Sequence, residues 1–149
     1  MKNEKIKIRL AGIIPMGNGF ALMHRVGAQN HPIGEYYVFP GGGQEGDETQ
    51  EEGVIREVKE EFGIDVKVIE KLYEMEHSNK MTKELFFLCE YISGELGTGT
   101  GPEFSGDPKY EHRGQYLPEI ISKEDVENIT LLPFEIRDKF IEDMKKGRF

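Results

Sequence analysis

A chain of 149 residues, 37% hydrophobic and 32% charged, is long enough for one domain with a real core and too mixed in composition for disorder. Its net charge of −9 argues against a polymer nucleic acid as partner, because binding to a duplex relies on Lys and Arg neutralising phosphates. The longest purely apolar stretch, Leu85 to Cys89, is far too short to cross a membrane, which argues against a membrane partner.

The polar start, Met1-Lys2-Asn3-Glu4-Lys5, has no apolar run of signal-peptide length. Residues 5–15 alternate and then turn apolar, which predicts a strand. Met16-Gly17-Asn18-Gly19 is a turn, and Phe20 to Val26 reads as the returning strand. Residues 27–35 form a loop rich in Gly, Asn and Pro. Tyr36 to Phe39 is a short strand, ended by Pro40-Gly41-Gly42-Gly43, with a loop running to about Thr49.

Residues 49–62 form the strongest predicted helix. Thr49 and Glu52 have capping-box spacing, and Gly63 is the stop. Asp65 to Met75 and Glu84 to Ile92 look like paired strands. The lone cysteine, Cys89, allows no intrachain disulfide and reads as a small core residue, in keeping with a reducing cytoplasm. Residues 93–114 carry Gly94, Gly97, Gly99, Gly101, Gly106 and Gly114 with Pro102 and Pro108, and read as a functional or disordered loop. Gln115 to Ile121 is the last predicted strand and Lys123 to Val126 a short helix. Pro133 to Lys145 is a second helix with Pro in its first turn, offering Phe134, Ile136, Ile141 and Met144 for packing. Strands and helices mix without a strict βαβ rhythm, so the expected class is α+β, with helices flanking a mixed sheet in one domain over residues 1–149.

At about 100° per residue, Glu57, Glu60 and Glu61 share one side of helix 49–62, beside an apolar face of Val54, Ile55, Val58 and Phe62. Like charges one turn apart repel, so three on one side make sense around a hard cation. Magnesium prefers oxygen ligands and shares itself with substrate phosphates. The alternative is a solvated acidic face. Two features favour the cation. Gly53, a poor helix residue, sits on the carboxylate side and is expected to leave room for a ligand. Gly41 to Gly43 let the backbone approach a metal or phosphate closely. No Gly-Lys-Ser/Thr follows, so this is not a P-loop.

Read from Gly42, the order is Gly, five residues, Glu48, seven residues, Arg56-Glu57-Val58, one residue, Glu60-Glu61, one residue, Gly63-Ile64. This resembles the box of the Nudix family, hydrolases of nucleoside-diphosphate-linked compounds, at every defined position. A chance match is on the order of one in a million. The resemblance extends over roughly residues 5–145 and implies a Nudix-like α/β/α sandwich with a mixed sheet. It implies that Glu57 and Glu61 ligate magnesium (manganese substituting), that Glu60 is a third ligand or helper, and that the Gly41 carbonyl is a backbone ligand. Arg56 matches the arginine that orients the carboxylates, and Glu48 the acid behind it. Glu57, Glu60, Glu61 and Arg56 are thus the implied catalytic group. Gly53 departs from the family's usual alanine. The general base is left open between a box glutamate and a loop acid, Glu103 or Glu111, either of which also reads as a solvated side chain.

Markers outside the box bear on the substrate. Asn79 stands near the place where ADP-ribose enzymes of this family often have proline. Lys80 and Met81 stand where dinucleoside polyphosphate enzymes often have tyrosine. Motifs for NADH or coenzyme A substrates are not evident. By exclusion, the expected substrate is a nucleoside triphosphate or similar small nucleotide. Arg25, Tyr37, Glu103 and Glu111 are the candidate substrate contacts. Tyr36, Phe20 and Phe104 could stack on a base or serve the core, and His24 and His31 could meet phosphate or lie on the surface. Gly97-Thr98-Gly99-Thr100-Gly101-Pro102 opens no predicted helix and is discounted as a dinucleotide fingerprint. A module that senses nucleotide without cutting it is the alternative, but such modules usually lose box acids and none is lost here. RNA decapping fits the chemistry but not the charge. Family members are often dimers, so a homodimer stays open.

Overall fold

The structure is a computed structural model and describes residues 6–29, 31–77 and 81–149. The expected strand start at Lys5, the polar leader and the positions Asn79 and Lys80 lie outside the described residues. In chain order the elements are β1 (Lys7–Ile13), β2 (Pro15–Met16), β3 (Gly19–Val26), β4 (Tyr36–Val38), β5 (Gly41–Gly43) and α1 (Gln50–Phe62). They continue as β6 (Ile64–Glu76), β7 (Thr82–Gly94), β8 (Gln115–Ser122), β9 (Leu131–Leu132) and α2 (Phe134–Lys145).

The alternation along β1 sends its residues into two different cores. Leu10 and Ile14 join Val54, Val58 and Phe62 of α1, while Ala11 and Ile13 join Ile136 and Phe140 of α2. Among the described residues the strands form one sheet of order β5-β1-β7-β6 and a second of order β2-β3-β4-β9, with β8 on β3. Pairing is parallel between β1 and β7 and between β4 and β9, and antiparallel elsewhere. The sheets are therefore mixed and carry a helix against each cluster, an α+β arrangement of the kind the resemblance implies. Phe20 and Phe39 both meet Phe140 edge-on, at 4.8 and 5.2 Å between centroids. Each such buried ring contributes about 1.5–3 kcal/mol.

Helix α1 begins as its sequence dictates. The Thr49 hydroxyl accepts from the Glu52 N–H, and the Glu52 carboxylate accepts from the Thr49 N–H, so two orphan donors are satisfied reciprocally. It ends on Gly63 at φ 77°, a left-handed conformation that favours glycine.

Several expectations change. Gly41–Gly43 is a strand of its own rather than a break leading into a loop, because β1 offers an edge with which Gly42 pairs opposite Leu10. Ile55, expected on the apolar face, is 37% exposed, since it sits at the far margin of the buried arc. The short helix expected at Lys123 to Val126 is a 3-10 turn at Val126–Asn128. Pro133 caps α2 from outside, and Phe134 is exposed with the Arg137 guanidinium 4.7 Å over its ring.

The 93–114 stretch is not a free loop either. It contains 3-10 turns at Pro102–Phe104 and Pro108–Arg113. Its start is tied to the end of α1: Gly97 N–H donates to the Phe62 carbonyl and Gly101 N–H to the Glu60 carbonyl.

Candidate active site

Arg56 organises the acidic side of α1. Its Nε and Nη2 grip both oxygens of Glu48 at 2.9 and 2.7 Å. Its Nη1 donates to Glu57 at 2.9 Å and to Glu60 at 3.3 Å, and Nη2 also reaches the Gly43 carbonyl at 3.1 Å. A planar guanidinium makes such a fork possible where an ammonium would not. Glu48 accepts a further bond from the Glu45 N–H. The Arg56 hydrogen bonds, with that backbone bond, hold its carboxyl at about 2.

Glu57 is only 9% exposed. Its pKa is raised, chiefly by burial and with help from Glu60, against the opposing pull of Arg56. A Cβ on Gly42 would lie 2.5 Å from the Glu57 carboxylate, so any larger residue there would push that carboxylate from its present place. Glu61 accepts from the Gly41 N–H at 3.3 Å. Burial pushes its pKa up to about 8, with Glu57 and Glu103 adding repulsion and Arg9 opposing.

Arg9 and Glu84 had not been singled out from the sequence. Arg9 donates through Nη2 to the Gly41 carbonyl at 3.2 Å and through Nη1 to Glu84 at 2.8 Å. The available signal was a charged residue between Ile8 and Leu10, which reads as the polar position of an alternating strand. The partner lies 75 residues away, across the parallel β1–β7 pairing, which no local pattern announces.

Gly53 needs a correction. A Cβ there would meet Leu10 Cδ1 at 2.4 Å and Glu48 Oε1 at 3.0 Å. The space it leaves is filled by the core and by Glu48, not kept for a ligand.

The remaining candidates scatter. Glu103 lies near enough to Glu61 for its charge to help raise that residue's pKa. Glu111 is exposed, and its carbonyl accepts from the Gly114 N–H; among the described residues no hydrogen bond or ion pair joins it to the box acids. Arg25 lies 3.7 Å over Tyr116 and 5.8 Å from Tyr36, donates to the Arg113 carbonyl, and has a buried Nε with no partner among the described residues. Tyr37 stacks on His24 at 4.2 Å, not on the acidic side of α1. His24 is clamped between Glu119 at 2.6 Å and Glu35 at 2.5 Å. Burial lowers its pKa, but the two carboxylates outweigh that and the net shift is upward. Phe20 is core, Tyr36 is buried beneath a stacked His31, and Phe104 packs on Tyr116. A larger apolar cleft of about 520 Å³, lined by Met16, Ile69, Tyr91, Ile120 and Phe149, contains no box residue.

The donor set suits a hard divalent cation. Glu57, Glu60 and Glu61 supply carboxylate oxygens and Gly41 a carbonyl, on adjoining elements, and burial leaves Glu57 and Glu61 short of compensating charge. Among the described residues no three acidic or imidazole side chains already stand as a metal cluster. A cation there would draw on acids that share a face of α1 together with the Gly41 carbonyl.

Comparison with known proteins bears on this arrangement. A family model described as NUDIX domain matches residues 7–107. An ADP-ribose pyrophosphatase of Methanocaldococcus jannaschii is 33% identical over 96 residues, covering 62% of this chain and 55% of the relative. The chain thus spans little more than half the length of that curated relative. A NUDIX hydrolase structure from Nitrosomonas europaea superposes with a TM-score of 0.72 at 16% identity, over 97% of this chain and 73% of that one. A MutT protein from Methanosarcina mazei Go1 does so with 0.65 at 20% identity, over 99% of each. At these identities the structures speak for the fold alone.

Proposed function

The chain belongs to the Nudix family, and from that membership we propose that it hydrolyses the diphosphate bond of a small nucleotide, a nucleoside triphosphate first, using magnesium held by Glu57, Glu60, Glu61 and the Gly41 carbonyl. The observation that carries the reading is the Arg56 network, which fixes Glu48, Glu57 and Glu60 around one guanidinium. Such an expensive arrangement of like charges is explained by a cation they serve together.

When bound, magnesium would activate water and stabilise the charge that develops on phosphate. The chain's own residues prepare for that. Arg56 holds carboxylates that would otherwise repel apart. The Gly41 N–H fixes one oxygen of Glu61. Without a cation, Glu61 at a pKa of about 8 keeps its proton at neutral pH, so magnesium would have to displace that proton before Glu61 could serve as a ligand. Glu103 is the loop acid whose field reaches this centre.

Glu61→Gln tests the assignment in a phosphate-release assay across a nucleotide panel. Turnover on the best substrate should fall by about 100-fold or more. Unchanged turnover would remove Glu61 from the reaction. A second reading, cleavage of a nucleoside diphosphate sugar, is favoured by the name of the 33% identical relative. Preference for ADP-ribose over every triphosphate in the same panel would select it.

A further inference from the structure

A cavity of about 220 Å³ has Arg9 and Glu84 among its lining and aromatic walls of Tyr36, Phe39 and Phe86. His31, stacked on Tyr36 at 4.2 Å, completes the wall. Pockets for drug-sized ligands run from about 300 Å³ upwards, so this one suits a single flat ring system rather than a whole nucleotide. Arg9 joins it to the reacting centre, since its Nη2 donates to the Gly41 carbonyl at 3.2 Å.

We propose that this cavity seats the substrate's base and that Arg9 and Glu84 select guanine there. The inference rests on the nucleotide hydrolase reading. Glu84 is only 7% exposed, and an ionised carboxylate accepts hydrogen bonds but donates none. One oxygen takes Arg9 Nη1 at 2.8 Å and the other faces His77 Nε2 at 3.3 Å. Each oxygen accepts more than one bond, so the pair retains capacity on its cavity side. A ring entering must bring N–H donors to Glu84 and an acceptor to Arg9. Guanine presents N1–H and the 2-amino group side by side, next to O6. Adenine and cytosine place a bare ring nitrogen where guanine has N1–H, setting a lone pair against the carboxylate. Uracil and thymine carry one N–H between two carbonyls, the second of which would meet Glu84. Unpaired buried acceptors of this kind are how a polar site rejects an analogue.

The test compares the guanosine, inosine and adenosine forms of the best substrate. The guanosine form should lead the adenosine form by about tenfold or more in kcat/KM. The inosine form, which keeps N1–H and lacks the 2-amino group, should fall between them. Glu84→Gln should bring the guanosine-to-adenosine ratio to within about threefold, mainly by raising KM for guanosine. Calorimetric binding of GMP and AMP without metal should show the same order. Cleavage of all three forms at equal efficiency would overturn the proposal, as would an undiminished guanosine preference in a folded Glu84→Gln protein. The three-way comparison needs no variant, so it decides even where Glu84→Gln fails to fold. If the wild-type protein cleaves no nucleotide, the hydrolase reading fails, and binding then decides the base alone. GMP preferred over AMP sustains it, and equal affinity overturns it.

Discussion

Arg56 shows how a single residue sets the energetics of the acidic face. Its two-point grip on Glu48 and its bond to Glu57 depend on the planar fork, so charge alone cannot replace it. Arg56→Lys keeps the charge and loses the geometry. Turnover should fall by about 10–100-fold, and the magnesium concentration for half-maximal rate should rise, as for other residues that support metal ligands from behind. Kinetics against magnesium concentration for the two proteins measure both effects. Equal curves would reduce the network to a surface ion-pair cluster. The role of Gly42 is steric in the same spirit: the Glu57 carboxylate occupies the place of its missing side chain.

At the scale of elements, α1 is the part in which local sequence and tertiary demand agree. Its capping box and left-handed stop are local chemistry, and Val54, Val58 and Phe62 are buried as their spacing dictates. Thr49→Ala removes one acceptor at the N-terminus and should cost about 1 kcal/mol in a denaturant melt. A change within error would mean that packing alone holds the first turn. This agreement is why the helix, its boundaries and its three glutamates were legible from spacing. What was not legible depended on partners distant in sequence. Three glycines read as a break after a strand, yet Gly41–Gly43 pairs with β1 because Arg9–Ala11 lies beside it. The glycine-rich 93–114 stretch read as a loop, yet backbone bonds to the Phe62 and Glu60 carbonyls fasten it, and no side-chain pattern encodes those. Arg9 and Glu84 are unremarkable alone and become a pair only through the parallel register of β1 and β7. The Nudix spacing identified the acids; it carried no information about the cavity beside them.

For the whole molecule, the acids tie folding stability to pH and, on the proposed reading, to metal. Glu48, held at about 2 against an ordinary 4.5, contributes stability that is complete above pH 4.5 and is lost as pH falls towards 2. Glu61 works in the opposite direction. Its pKa of about 8 lies above the ordinary 4.5, so between those values the folded chain keeps a proton that the unfolded chain has released. Stability from this group is therefore greatest below pH 4.5 and declines as pH rises through 8. On the proposed reading a divalent cation would compete with that proton for the same carboxylate, so its binding should release protons at neutral pH. It should also stabilise the fold more as the proton leaves. Magnesium at about 100 times its dissociation constant adds about 2.7 kcal/mol if it binds the folded state alone. The expected result is a rise in melting temperature with magnesium over EDTA that is clear at about pH 8.5 and small at about pH 5.5. Hydrogen-exchange protection should grow most in α1, where the acids sit. Thermal melts at the two pH values decide it. The same gain at both would mean that magnesium binds away from Glu61, and no gain at either, with activity surviving EDTA, would remove the metal from this helix.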